Sequence, residues 1–344
     1  MYKTVRMKIF VGILAIGICN LMNGAITHPA FPVESPREQG YLRVSAKHQI
    51  FYAVYGNVEE IPIVVVHGGP GAGCSDAFTR FFDLKRFKVI MFDQRGAMRS
   101  KLFACMEENT TQHSIEDMEA LRKHLGIKQW LVFGGSWGSL LSILYGQAYP
   151  ESCLGFILKD IFLGREQDIR LFGDKSEVPE AYEEFICHIP KEQRSDLLTA
   201  TYKKIMDSDP VIHMDMARAM MCYHLIRTSN PPLSSTKLES ILADDQYVLS
   251  IARAVLHYVI HQLFIEPNQA ILQMNRIAHL PAIILHGNID INCSFEQAVL
   301  LNNHWENSSL HIIEHVGHSS NDKAMVSAII SATNEFAKKF DGKA

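Results

Sequence analysis

Residues 130–138 read WLVFGGSWG, an apolar run followed by Gly134-Gly135-Ser136-Trp137-Gly138. The run predicts a buried strand, and the G-x-S-x-G pattern predicts a sharp turn from that strand into a helix over residues 139–148. The helix stops at Tyr149-Pro150. A serine at such a turn sits in a strained conformation with its hydroxyl presented, and the helix behind it aims its positive end at the same point. Ser136 is therefore the candidate nucleophile. A glycine-rich turn without chemistry is the bland alternative, and the flanking strand and helix are what favour catalysis. Ser139 and Ser142 fall inside the helix and are poorer rivals.

Working outward, further apolar runs occur at residues 61–66 (IPIVVV), 88–92 (KVIMF), 155–158 (GFIL), 282–285 (AIIL) and 310–313 (LHII). Near-continuous β-branched runs of this kind are typical of parallel strands buried on both faces. A helix is expected between the second and third strands. Ser114 and Asp117 have capping-box spacing, Ile115, Met118, Leu121 and Leu125 form one stripe, and Gly126 stands where a C-terminal cap belongs. Strand, helix, strand in this order implies a mostly parallel, doubly wound α/β sheet. Residues 165–278 carry almost no strand pattern. They read as helices at 179–188, 191–206, 212–224, 245–264 and 268–279, interrupted at Pro231-Pro232. That is an inserted all-helical cap between a core of residues 41–164 and 279–344.

The other site residues follow from the strand ends. The IPIVVV run leads into His67-Gly68-Gly69-Pro70-Gly71, a glycine loop where a backbone N–H can meet a developing oxyanion. Gly69 is the preferred donor, with Gly68 close behind, and the N–H of Trp137 is the second donor. A phosphate-binding loop is disfavoured, because no Lys-Ser/Thr follows the glycines. The AIIL run leads into Asp290 and the LHII run into His318, giving the order Ser…Asp…His. The 154 residues between Ser136 and Asp290 leave room for the cap. Asp290 would hold the imidazole and His318 would move the proton. Asp160, after the GFIL run, is a rival acid; His315 and His311 are rival bases, His311 being on a strand.

Bulk properties exclude several classes. With 33 basic and 37 acidic residues the net charge is −4, so no basic face marks a nucleic-acid partner. Sixteen histidines are scattered, and no His/Cys pair has zinc-finger spacing, so neither a metal nor any other cofactor is expected. The seven cysteines do not form a regular framework, and most read as buried thiols. Lys3, Arg6 and Lys8 precede an apolar run at residues 9–19, too short for an ordinary transmembrane span but suited to a signal peptide over residues 1–25. A Pro-rich linker over 26–40 would follow. The expectation is an exported protein without stable membrane association after the signal is removed, with a small peptide or ester substrate. The oligomeric state is left open.

The extended motifs resemble one family. HGGPGAG at 67–73, DQRGAMRS at 93–100, residues 109–139 through GGSWGS, IFLGRE at 161–166, VPEAYEEF at 178–185, IARAVLHY at 251–258, HGNID at 286–290 and VGHSS at 316–320 are similar to the proline iminopeptidases of the α/β-hydrolase superfamily. The resemblance runs from about Gly40 to the C-terminus. It implies an α/β-hydrolase core with a helical cap and metal-free removal of an N-terminal residue, typically proline, through a seryl intermediate. It places the triad on Ser136, Asp290 and His318, and the oxyanion donors on Gly69 and Trp137. It also implies the alternative location, the cytoplasm. The chain departs from the family at two cap positions that carry carboxylates for the substrate's α-ammonium: here they read His224 and Val255. Ala97 and Met98 change a loop near the site. Glu166, Glu183, Glu184, Asp244 or Asp245 are the candidate replacement anchors. The alternative function is an esterase or amidase acting on neutral acyl substrates.

Overall fold

A computed structural model describes residues 28–169, 177–319 and 321–340, so the segment read as a signal peptide lies outside the described residues. The first half runs β1 (Glu38–Arg43), β2 (Gln49–Gly56), β3 (Ile61–Val66), β4 (Phe87–Phe92), α1 (Thr111–His124), β5 (Trp130–Ser136), α2 (Trp137–Ala148) and β6 (Cys153–Ile161). A helical stretch follows: α3 (Pro179–Cys187), α4 (Leu197–Ile205), α5 (Pro210–Thr228), α6 (Ser235–Leu242), α7 (Asp245–Ile260) and the short α8 (Gln269–Leu272). The chain then closes with β7 (Ala282–Gly287), α9 (Phe295–His304), β8 (Ser308–Ile313) and α10 (Lys323–Phe340).

The eight strands form one sheet in the order β1-β2-β4-β3-β5-β6-β7-β8. The six from β3 to β8 are mutually parallel, while β1 and β2 join antiparallel at one edge. The period of two explains how apolar strands serve two cores. Val64, Val66, Trp130 and Val132 enter a cluster with α1, α2 and α9, while Ile63, Val65, Leu131 and Phe133 enter a second with α10. Because the sheet is covered on both faces, Ser136, Asp290, His318 and the glycine loop lie at the carboxyl ends of the parallel strands, where the crossover loops gather.

The structure corrects four expectations. The linker is shorter than 26–40, because Glu38 to Gly40 already pair with β2; β1 is a half-exposed edge strand, so its EQGYLR sequence carries no strong apolar signal. The capping box at Ser114 and Asp117 is not one. The N-cap is Thr110, whose side chain accepts the His113 N–H, while Ser114 lies one turn inside and hydrogen-bonds Tyr258. Asp117 instead pairs with Arg95 at 2.6 Å, both buried. The helical block divides differently: α3 to α7 share their own core, but Tyr258, Leu263, Ala270, Met274 and Ile277 are buried in the sheet's cluster. Residues from the end of α7 therefore belong to the core layer, and the cap is smaller than 165–278. Finally, α6 was not read from the sequence, and the expected helix over 268–279 reduces to α8 and a short 3₁₀ turn.

Candidate active site

Ser136 ends β5 with φ 58° and ψ −129°, the strained turn that the motif requires. The glycines are there for close packing. A Cβ at Gly138 would stand 2.1 Å from the Val66 carbonyl, and one at Gly134 would stand 2.3 Å from the Gly138 carbonyl. Only without side chains can α2 start this close to β3 and β5. Trp137 opens α2, and its N–H has no intrahelical partner. Its buried indole donates to Gln94 Oε1 at 2.9 Å and lies 4.6 Å from the Tyr258 ring, which fixes the start of the helix.

The glycine loop after β3 passes directly against Ser136. A Cβ at Gly68 would be 3.3 Å from Ser136 Cβ and 3.9 Å from its Oγ. Gly69 has φ 115°, a value that favours glycine. Gln94 ties this loop to the elbow: its N–H donates to His67 Nε2 at 3.0 Å and its side-chain amide donates to the His67 carbonyl at 2.9 Å. With Nε2 accepting, His67 carries its proton on Nδ1 and donates to the Gly68 carbonyl at 2.9 Å. Burial pushes the His67 pKa down, which favours this neutral form. The polar run after β4 thus has a physical explanation. Gln94 joins the two oxyanion candidates, Asp93 holds Arg99 at 2.7 Å, and Arg95 reaches Asp117 on α1.

Asp290 and His318 meet as the sequence predicts. His318 Nδ1 donates to Asp290 Oδ2 at 2.7 Å. The other carboxylate oxygen accepts two backbone N–H groups, from Asn292 at 2.9 Å and Cys293 at 3.0 Å. Burial alone would lower the His318 pKa, but the Asp290 hydrogen bond and the charge of Asp160 outweigh it, and the pKa is raised. Cys293 joins the group unannounced by any motif. Its sulfur, an Asp290 oxygen and a His318 nitrogen lie within 4.8 Å of one another. Burial pushes that thiol's pKa well up, and the Asp290 and His318 atoms are already bonded to each other.

Beneath them His286 accepts the Ile161 N–H at 2.9 Å and donates Nε2–H to the Cys293 carbonyl at 2.9 Å. Of the rivals, His311 lies on β8, His315 is exposed at φ 61°, and Asp160 is fully buried at the end of β6 and ion-paired with Lys159.

The helices form the roof. On α7, Ser250 Oγ donates to the Gly71 carbonyl at 2.6 Å and accepts the Met98 N–H at 3.3 Å, bracing both loops. Beside the glycine loop opens a cavity of about 760 Å³, lined by Gly68, Asp76, Phe78, Met98, Arg99 and Tyr247 among others. The segment just after α5 lies against the His318 loop: a Cβ at Gly317 would be 2.8 Å from the Asn230 carbonyl. His224, on α5, is pushed down to about 4 by burial, then by Arg227 and His318, so it is neutral at physiological pH. Val255 packs partly buried against the cap's own core. The candidate replacement anchors have other positions. Asp244 caps α7, Asp245 pairs with Arg218, and Glu166, Glu183 and Glu184 are exposed.

Comparison with known proteins agrees with this fold. A family model for the alpha/beta hydrolase fold matches residues 61–187. A relative from Leptolyngbya boryana, named as a probable proline iminopeptidase, is 39% identical over 318 residues, covering 91% of this chain and 98% of its own. The chain belongs to the proline iminopeptidase family. A second member, from Arabidopsis thaliana, is 36% identical over 90% of this chain and 82% of its own. Among solved structures, a proline iminopeptidase from Mycobacterium smegmatis matches with TM-score 0.59 at 15% identity, covering 88% of this chain and 99% of its own. The esterase RhEst1 from Rhodococcus sp. ECU1013 matches with TM-score 0.57 at 17% identity, over 89% and 99%. These two likenesses show the α/β-hydrolase fold. Within the family, the present chain is a serine hydrolase whose roof carries a neutral His224.

Proposed function

We propose that the protein is a serine aminopeptidase that releases an N-terminal residue, proline foremost, from short peptides. The observation that carries this is the 2.7 Å bond between Asp290 and His318 at the same sheet edge as the elbow serine, in a chain of this family. In the proposed reaction His318, through the nitrogen not bonded to Asp290, takes the Ser136 proton as Oγ attacks the substrate carbonyl. The N–H groups of Gly69 and Trp137 stabilise the tetrahedral oxyanion; losing one such donor costs about 2.7–4 kcal/mol of barrier. The imidazolium then returns the proton to the leaving amine, and water, activated by the same base, releases the acyl group.

One observation favours a second reading. His224, at one of the two cap positions where the family carries a carboxylate, is buried and neutral, and Val255 stands at the other. An esterase or amidase taking neutral acyl groups fits that feature. Hydrolysis of proline arylamide against its N-acetylated counterpart and short p-nitrophenyl esters separates the two. Preference for the free amine supports the aminopeptidase; turnover of the blocked substrates alone overturns it.

Export rests on the charged-then-apolar order of residues 3–19. N-terminal sequencing of the mature protein checks it: an intact Met1 on soluble cytosolic protein is the contrary result.

A further inference from the structure

The loop that carries Gly69 has four glycines in the six residues 68–73. Such a loop is costly to hold in one conformation, yet an oxyanion donor is useful only when it is preorganised. Its ties are therefore informative. At its start, Gln94 binds His67 through two hydrogen bonds, and at its end Asp93 Oδ1 accepts the Cys74 N–H at 2.8 Å. A third tie comes from α7. Ser250 lies in the second turn of that helix and is wholly buried. A serine inside a helix ordinarily turns its hydroxyl to solvent or to the carbonyl four residues earlier. Here the hydroxyl leaves the helix, donating to the Gly71 carbonyl at 2.6 Å and accepting the Met98 N–H at 3.3 Å. The two segments also touch: a Cβ at Gly71 would stand 2.5 Å from the Ser250 carbonyl oxygen and 3.0 Å from the Ala254 Cβ. About 12 Å further along the same helix, Tyr258 packs its ring 4.6 Å from Trp137 and donates to Asn109 Oδ1 at 2.9 Å. One helix thus abuts both arms of the candidate oxyanion hole.

We infer that Ser250 is a positioning residue for the oxyanion hole: its hydrogen bond to Gly71 holds the glycine loop where the Gly69 and Trp137 N–H groups can meet one oxygen. This inference rests on the proposed acyl transfer at Ser136. Ser250 acts through the loop backbone and not on the substrate. The need for the tie is greatest in the transition state, where the oxygen carries negative charge and both donors count, so a loosened loop raises the barrier and leaves ground-state binding unchanged. A neighbouring tie supplies a control. Gln246, also on α7, donates its side-chain amide to the Met98 carbonyl at 2.9 Å, which fastens the loop after β4 and not the glycine loop.

The test is Ser136 labelling by an alkyl fluorophosphonate, resolved into the rate at saturation and the half-saturating concentration. The phosphonyl oxygen enters the same oxyanion hole whatever the natural substrate is. Ser250→Ala is expected to lower the saturating rate about tenfold, a part of the roughly 10²–10³-fold that loss of a whole donor costs, with the half-saturating concentration within about twofold of wild type. Gln246→Ala is expected to stay within about twofold of wild type in both. A urea melt checks that each variant is folded, and Ser250→Cys, whose thiol donates more weakly, carries the same test if Ser250→Ala does not fold. A saturating rate within about threefold of wild type in folded Ser250→Ala, a change confined to the half-saturating concentration, or an equal loss in Gln246→Ala overturns the role. Wild type that labels at Ser136 but releases no arylamine from proline arylamide refutes the proposed aminopeptidase instead, so the two failures are distinguishable.

Discussion

Asp290→Asn is the most informative single change at the site. One Asp290 oxygen accepts two backbone N–H groups at 2.9 and 3.0 Å, and the other accepts the His318 Nδ1 proton at 2.7 Å. An asparagine keeps the same shape but has one oxygen. Both backbone donors require that oxygen, so the amide NH₂ turns to His318. A donor facing Nδ1 forces the ring's proton onto the other nitrogen, the one that must accept from Ser136. The base is then in the wrong tautomer. A wrong tautomer in such a triad lowers kcat by about 10⁴, which is about 5 kcal/mol of barrier. The fold survives, because the two backbone bonds remain. The assay is kcat on proline arylamide with a urea melt of the same preparation. A loss of less than tenfold with unchanged stability would refute the reasoning, since it would mean that the Asp290 bond does not set the tautomer.

Other consequences can be read at once. Gly138→Ala places a methyl 2.1 Å from the Val66 carbonyl, so overpacking of about 1–3 kcal/mol or more is expected, seen as a lower urea midpoint. Arg95→Met leaves the buried Asp117 without its partner; a loss of about 3–5 kcal/mol is expected, and an unchanged melt would contradict it. The His318 pKa is raised above its ordinary 6.5 and the base acts when neutral. The acid limb of kcat/KM is therefore expected above pH 6.5, with activity present at higher pH and lost as pH falls through the limb. A limb below 6 in wild type would contradict this.

Much of this site was legible because its parts stand at strand ends. The apolar runs of β3, β5, β7 and β8 announce parallel strands, and at or just beyond their carboxyl ends stand the glycine loop, Ser136, Asp290 and His318. What escaped the sequence depends on partners far along the chain. Ser114 has the spacing of a cap but is used against Tyr258, and Asp117 is taken by Arg95. Asp160 could be seen as a rival acid, but the bulge that sets it beside Ser136 exists only in the β5–β6 register. Cys293 follows Asp290 by three residues in a turn held by the Asp290 carboxylate, and nothing in that spacing reveals its place beside His318. Edge strand β1 is polar and half exposed, so it left no apolar pattern. The end of the cap was misplaced because α7 is apolar on both the face that roofs the site and the face that joins the core.

The most direct test of the central claim is release of the arylamine from proline arylamide by wild type and Ser136→Ala, with N-acetylproline arylamide run alongside. Turnover of the free-amine substrate by wild type, absent in Ser136→Ala and much weaker on the acetylated substrate, is the expected result. Equal rates in wild type and Ser136→Ala, or turnover of the acetylated substrate alone, would contradict the account.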